Sequence, residues 1–163
     1  MGIKRERLTL MTKEEMESTN WSQSVAGVCF KDGKVLLARH TYGGGKGKLI
    51  IPGGYIKCGE APEEALRREY MEETGIAVKA GKLIGIRFSK KDWYAVFVAE
   101  YVEGEARSDG DENSEVIWMD PNEALKDDSV PGLTKEMIRK ALTGEGFGLT
   151  PYDTDKLENH LYV

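Results

Sequence analysis

Residues 53–76 read GGYIKCGEAPEEALRREYMEETGI, and this run limits the possible folds more than any other. It predicts a helix over Ala61–Thr74 held between two glycine-bearing loops. Pro62 sits where a first-turn proline is tolerated, acidic residues fill the first turn, and Gly75 ends the helix. Strand patterns flank it on both sides. SVAGVCF at 24–30 and KVLLARH at 34–40 are joined by Lys31-Asp32-Gly33, a hairpin signal. TYGGGKGK follows as a glycine-rich loop, and LII at 49–51 is a short strand that stops at Pro52. Downstream lie two β-rich stretches, Ile76–Phe88 and Trp93–Val102, and then EVIWM at 115–119. Asp120-Pro121 opens a short helix to about Lys126. Thr134–Leu142 reads as an amphipathic helix with Met137, Ile138 and Leu142 on one face. One helix between strand groups, with further helices near the end, is an α+β pattern rather than a regular βαβ array.

The chain of 163 residues suits one domain with short extensions. Residues 1–20 form a polar extension with a short helix expected near 12–18. The domain is expected over 21–143, and 144–163 make a tail. A net charge of -5 gives no broad basic surface for a nucleic-acid polymer or a membrane. Cys29 and Cys58 have no paired spacing, and two histidines, His40 and His160, do not make a zinc cluster. No run has signal-peptide or transmembrane character, so a cytoplasmic protein is expected.

The charges on the central helix are unevenly arranged. Glu63 precedes Arg67, and Glu64 precedes Arg68, at the favourable four-residue spacing. Beyond them the pattern reverses. At about 100° per residue, Glu73 lies at about 40° and Glu72 at about 300° from Glu69. All three fall on one side, beside Ala65, Leu66 and Tyr70. They are like-charge neighbours in the last turn, where the helix dipole also disfavours anions. A hard divalent cation, Mg²⁺ or Mn²⁺, would resolve the conflict, because carboxylates without nearby His or Cys suit such ions. The implied chemistry is attack of water at phosphorus. Read on the three glutamates alone, a solvated acidic helix explains the pattern equally well.

The whole stretch resembles the signature of the Nudix hydrolases: Gly, five residues, Glu, seven residues, then Arg-Glu-aliphatic-any-Glu-Glu-any-Gly-aliphatic. Here Gly54, Glu60, Arg68, Glu69, Glu72, Glu73, Gly75 and Ile76 occupy the positions. The resemblance extends over about Ser24 to Leu142. It departs at Tyr70, usually aliphatic, and at Lys57, where many relatives carry an acid.

The resemblance implies a mixed β-sheet between helices, an α/β/α sandwich with a loop–helix–loop catalytic motif. It implies Glu69, Glu72 and Glu73 as metal ligands, with Glu69 also the base, and the Gly53 carbonyl as a further ligand. It implies an ion pair of Glu60 with Arg68 that braces the motif. A further acid from a late loop is either Glu112 or Glu115, with Glu112 preferred. The implied activity is Mg²⁺-dependent pyrophosphohydrolysis of a nucleoside diphosphate linked to another group. The alternative from another class is a catalytically silent nucleotide-binding module.

Arg39 is a candidate phosphate ligand, with Lys46 and Lys48 as possible helpers. Trp93, Tyr94, Tyr42 and Trp118 are candidates to stack on a base. Among subfamily markers, the proline about fifteen residues past the motif in ADP-ribose enzymes is absent, as is the SQPWPFP element of NADH enzymes. Tyr94, eighteen residues beyond Ile76, fits a dinucleoside polyphosphate marker. The substrate therefore stays open at this point. A homodimer is compatible with the exposed strands.

Overall fold

The computed structural model describes residues 22–90, 92–150 and 160–163. The helix expected near 12–18 and the N-terminal extension lie outside the described residues. In chain order the elements are β1 (Ser22–Lys31), β2 (Lys34–His40), β3 (Leu49–Ile50), β4 (Gly53–Tyr55), α1 (Pro62–Thr74), β5 (Ile76–Phe88) and β6 (Asp92–Gly104). They continue with β7 (Asn113–Met119), α2 (Pro121–Lys126), α3 (Gly132–Leu142), β8 (Leu149–Thr150) and β9 (Leu161–Tyr162).

β1 and β2 form the expected hairpin. Its turn residues Asp32 and Gly33 both take positive φ, 50° and 75°, the geometry that matches strand twist. Only the pairs next to the turn are made. β2 then diverges to pair with β3 and β7, and β4 takes the vacated edge of β1. The other edge of β1 runs parallel to β6, which pairs antiparallel with β5. The result is a mixed seven-stranded sheet along the path β3-β2-β1-β6-β5.

Alternation along these strands gives the sheet two apolar faces. Val25, Cys29, Leu36, Phe97 and Ala99 face α1, which buries Ala65, Leu66 and Tyr70 against them. Ala26, Val28, Val35, Leu37 and Val96 face the opposite way and pack on Ala124, Val130, Ile138 and Ala141 from the α2–α3 region. The sheet therefore lies between helices, as the α+β reading expected. Gly27 sets how close α1 comes. A Cβ there would stand 2.7 Å from Ala99 Cβ and 3.0 Å from Leu66 Cδ1.

Three details differ from the sequence reading. β4 was not expected: its glycines carry no apolar pattern, and it exists because β1 offers it an open edge. α3 begins at Gly132 and buries Thr134, Ile138 and Ala141, whereas Leu142 in the last turn is 54% exposed. The tail returns to the domain. Phe147 exchanges two 2.9 Å main-chain hydrogen bonds with Leu83, and the Tyr162 ring packs edge-on against Phe97 at 5.3 Å.

Candidate active site

Packing fixes the rotation of α1. Tyr70, which departs from the family's usual aliphatic residue, is fully buried, and its hydroxyl donates to the Gly27 carbonyl at 2.5 Å. With Tyr70 pointing into the sheet, Glu73 also turns inward and is 4% exposed, while Glu72 faces solvent. Glu69 lies between, beneath Gly54. A Cβ on Gly54 would stand 2.4 Å from the Glu69 carboxyl carbon, so only glycine leaves room for this carboxylate. The neighbouring Gly53 N–H donates to Glu73 Oε2 at 3.4 Å.

Arg68 is the hub. Its Nε and Nη2 each donate to one oxygen of Glu60 at 2.8 Å, a bidentate pair, and Nη2 also donates to the Tyr55 carbonyl at 2.9 Å. Its Nη1 donates to Glu69 at 2.5 Å and to Glu72 at 3.2 Å. This corrects the expected helix pairs. Glu64 does not bind Arg68; it reaches back to the Ala61 N–H at 2.9 Å and satisfies the free N-terminus of the helix. Glu63 does not serve Arg67; it contacts His160 Nδ1 at 2.6 Å and accepts from the Tyr162 hydroxyl. Partners outside the helix outcompete the weak pairs along its surface.

The electrostatics follow from this placement. The Arg68 guanidinium holds the Glu60 carboxyl down to about 2. Burial raises Glu69, with Arg68 opposing and Glu72 and Glu112 adding. Burial pushes Glu73 up to about 8, opposed by the Gly53 N–H and assisted by Glu69, Glu112 and Asp109. Glu73 is a buried carboxylate with one long hydrogen bond in a negative field, an arrangement that a cation would stabilise.

Two loops from elsewhere in the chain complete the site. Thr41 donates from its N–H to the Glu112 carbonyl at 3.1 Å, and from its hydroxyl to the carbonyls of Asp111 and Glu112 at 2.6 and 3.0 Å. The Tyr42 hydroxyl donates to the Glu112 carboxylate at 3.2 Å. The buried Asn113 amide donates to the Glu73 carbonyl at 2.9 Å and ties this loop to the end of α1. A cleft of about 420 Å³ results, with Glu69, Glu72, Glu112 and Arg68 along it and Tyr42 and Tyr55 at its border.

The two remaining acids and the candidate substrate ligands are placed as follows. Glu115 is directly opposite Arg39 across the β2–β7 ladder and accepts from its Nε at 2.8 Å; Arg39 also donates to the Gly47 carbonyl. Neither borders the cleft, nor does Tyr94, whose ring lies under the Arg87 guanidinium at 5.5 Å. Lys48 donates to the Asp128 carbonyl, and Lys46 is exposed. Trp118 packs on Tyr101, and Trp93 packs on Phe88. Lys57 borders the cleft. Sequence reasoning missed Tyr55, Thr41 and Asn113. Only Tyr55 carried a signal, since it lies inside the motif loop.

A protein-family comparison matches residues 21–141 to the NUDIX domain. The chain belongs to the NUDIX family. An ADP-ribose pyrophosphatase from Methanocaldococcus jannaschii is 36% identical over 110 residues, 63% of this chain and 64% of that protein. The NAD-capped RNA hydrolase NudC from Photobacterium profundum is 36% identical over 95 residues, 54% of this chain and 34% of that protein. The aligned part thus spans less than two thirds of either relative. A NUDIX hydrolase from Nitrosomonas europaea has the same fold, with a TM-score of 0.70 and 23% identity over 83% of this chain and 100% of that one.

NUDIX enzymes generally use divalent metals. As packed, no three Asp, Glu, His or Cys side chains among the described residues stand together closely enough to hold an ion. The Arg68 Nη1 occupies the space between Glu69 and Glu72. The donor set nevertheless fits a hard cation. All the donors are oxygens, Glu73 is buried and under-bonded, and Arg68 keeps its bidentate hold on Glu60 if Nη1 lets go. No helix among the described residues is long and apolar enough to cross a membrane.

Proposed function

We propose that this NUDIX domain is a Mg²⁺-dependent pyrophosphohydrolase, with Mn²⁺ as an alternative ion. Its substrate would be a small nucleoside diphosphate linked to a second group, ADP-ribose being the first to test. The observation that carries this reading is the pair Glu69 and Glu72, held by Arg68 along a cleft of nucleotide scale, with Glu73 buried on the same helix against the Gly53 N–H. Resemblance to an ADP-ribose pyrophosphatase supports the choice of first substrate.

Glu69, Glu72, Glu73, Glu112 and the Gly53 carbonyl are the groups that would hold the cation. When bound, it supplies charge stabilisation on phosphoryl oxygens and eases deprotonation of water. The protein's own part is positional. Glu69 is wedged beneath Gly54, and burial raises its proton affinity, so it is fit to take the proton of the attacking water. General-base help of this kind contributes about 10²–10⁴-fold. Glu60 holds Arg68 by its Nε and Nη2, so Arg68 would stay oriented when Nη1 releases Glu69 and Glu72 to hold the ion. Glu112 is carried to the same cleft by the Thr41 clamp.

The deciding experiment assays the purified chain with Mg²⁺, or with EDTA, against ADP-ribose, dinucleoside polyphosphates, NADH and nucleoside triphosphates. Mg²⁺-dependent release of a nucleoside monophosphate is expected, and Glu69→Gln should reduce it by orders of magnitude at unchanged melting temperature. Tight nucleotide binding with no turnover of any substrate would replace the enzyme reading with a binding module.

A further inference from the structure

Two large aromatic side chains at the border of the cleft are left exposed. Tyr42 is 54% exposed and Tyr55 is 68% exposed. They come from different parts of the chain, one following β2 and the other ending β4, yet both border the cavity that holds Glu69, Glu72 and Glu112. Neither ring contributes to the apolar clusters on the two faces of the sheet. Exposed tyrosines in loops are common, so exposure alone carries nothing. Here both are also held in place. Tyr42 is fixed by its hydroxyl on Glu112, by the Thr41 clamp beside it, and by the His40 ring at 6.0 Å. The main chain of Tyr55 is fixed by the Arg68 hydrogen bond to its carbonyl and by pairing with Ser24.

We infer that Tyr42 and Tyr55 form an aromatic rim on which the nucleobase of the substrate rests while its phosphates face Glu69, Glu72 and Glu112. A flat, weakly hydrated base gains from a π-face held in position before it arrives, and such stacking tolerates different bases. The sites beside the rim agree with this polarity. Lys57 supplies a cation at the mouth, and the carboxylates lie along the cleft, where a cation would meet the phosphates. The rim explains why the motif loop carries a tyrosine at position 55 with no packing role. It also separates Tyr42 from the other aromatic candidates. Trp118 and Tyr94 are occupied by packing, and Trp93 pairs with Phe88 away from this border.

This inference rests on reading the cleft as a nucleotide site, so its test uses binding rather than turnover. AMP and ribose 5-phosphate are titrated calorimetrically, with Mg²⁺, into the full chain and into Tyr42→Leu, Tyr42→Phe and Tyr55→Ala. Neither ligand has a phosphoanhydride bond to cut, so the result does not depend on catalysis. Tyr42→Leu and Tyr55→Ala should each weaken AMP by about tenfold, about 1.4 kcal/mol. Ribose 5-phosphate should be unaffected, and GMP should lose as much as AMP. Tyr42→Phe keeps the ring and should keep AMP affinity, although it loses the hydrogen bond to Glu112. Unchanged AMP affinity in both Leu and Ala variants overturns the rim, and so does an equal loss for ribose 5-phosphate, which would assign the tyrosines to phosphate. A wild-type chain that binds AMP no better than ribose 5-phosphate also overturns it, whereas absent hydrolysis with intact base-dependent binding overturns only the enzyme reading.

Discussion

The adjacent glycines 53 and 54 should fail in opposite ways when given a methyl group. In Gly54→Ala the new Cβ would lie 2.4 Å from the Glu69 carboxyl carbon and 2.6 Å from its Oε2. Carbon atoms rest at about 3.5 Å, so the carboxylate must retreat by about 1 Å. The atom that moves is the end of a side chain, and Gly54 is not in the left-handed region, so the fold should absorb the change. Catalysis should not. A displacement of about 1 Å at a reacting group costs about 10²-fold, equivalent to about 2.7 kcal/mol of barrier. In Gly53→Ala the Cβ would instead meet main chain, the Val25 carbonyl oxygen at 2.1 Å and Ala26 Cα at 2.5 Å. Overpacking of that kind costs about 1–3 kcal/mol or more, and in a chain of this size each kcal/mol lowers Tm by about 2–4 °C. Steady-state kcat and KM with Mg²⁺, together with melting curves by circular dichroism, separate the two. Gly54→Ala should lose kcat at nearly wild-type Tm, and Gly53→Ala should lose Tm first. A Gly54→Ala protein with wild-type kcat, or one that melts as early as Gly53→Ala, would refute the argument that this glycine sets the position of Glu69.

Three other outcomes follow from the same contacts. Glu60 has a folded-state pKa of about 2, below its ordinary 4.5, so its stabilising contribution is complete above about pH 4.5 and is lost as pH falls towards 2; an acid titration of Glu60→Gln should therefore show a shallower loss of stability over that window than wild type. Tyr70→Phe removes the buried hydroxyl that serves the Gly27 carbonyl and should cost about 1 kcal/mol, read as a Tm lower by about 2–4 °C. Mg²⁺ at about 100 times its Kd should stabilise the chain by about 2.7 kcal/mol, and the Glu69→Gln/Glu72→Gln double variant should show no such rise in Tm; an equal rise in both would place the ion elsewhere.

The parts of the site that were legible in the sequence are those within one continuous stretch. Helical periodicity alone put Glu69, Glu72 and Glu73 on one side, because spacings of three and four residues are fixed by backbone geometry. The same reasoning assigned Arg68 to Glu64 and was wrong, since local spacing says which partners are in reach but not which is preferred. The bidentate Glu60 and the inward-facing Glu69 were better partners, and Glu64 had an unsatisfied helix N-terminus to serve. For the late-loop acid, the sequence offered Glu112 and Glu115 three residues apart. Strand register separates them: Glu115 is opposite Arg39 in the β2–β7 ladder, and Glu112 lies just before that ladder, at the cleft.

By itself, then, the sequence determined the alternation of strands and helices, the loop–helix–loop with its ordered carboxylates, and the family to which these belong. All of these depend on neighbours in the chain, where periodicity, caps and glycines act. The tertiary structure decided how deeply each glutamate of α1 is buried, which acid joins them from a loop some forty residues away, and which aromatic residues are left bare around the cleft. Those choices depend on burial and on competition between distant partners. Tyr70 binding Gly27, Asn113 binding Glu73, and Thr41 clamping the Glu112 loop have no local pattern to announce them, because each bond exists only once the sheet has brought its two ends together.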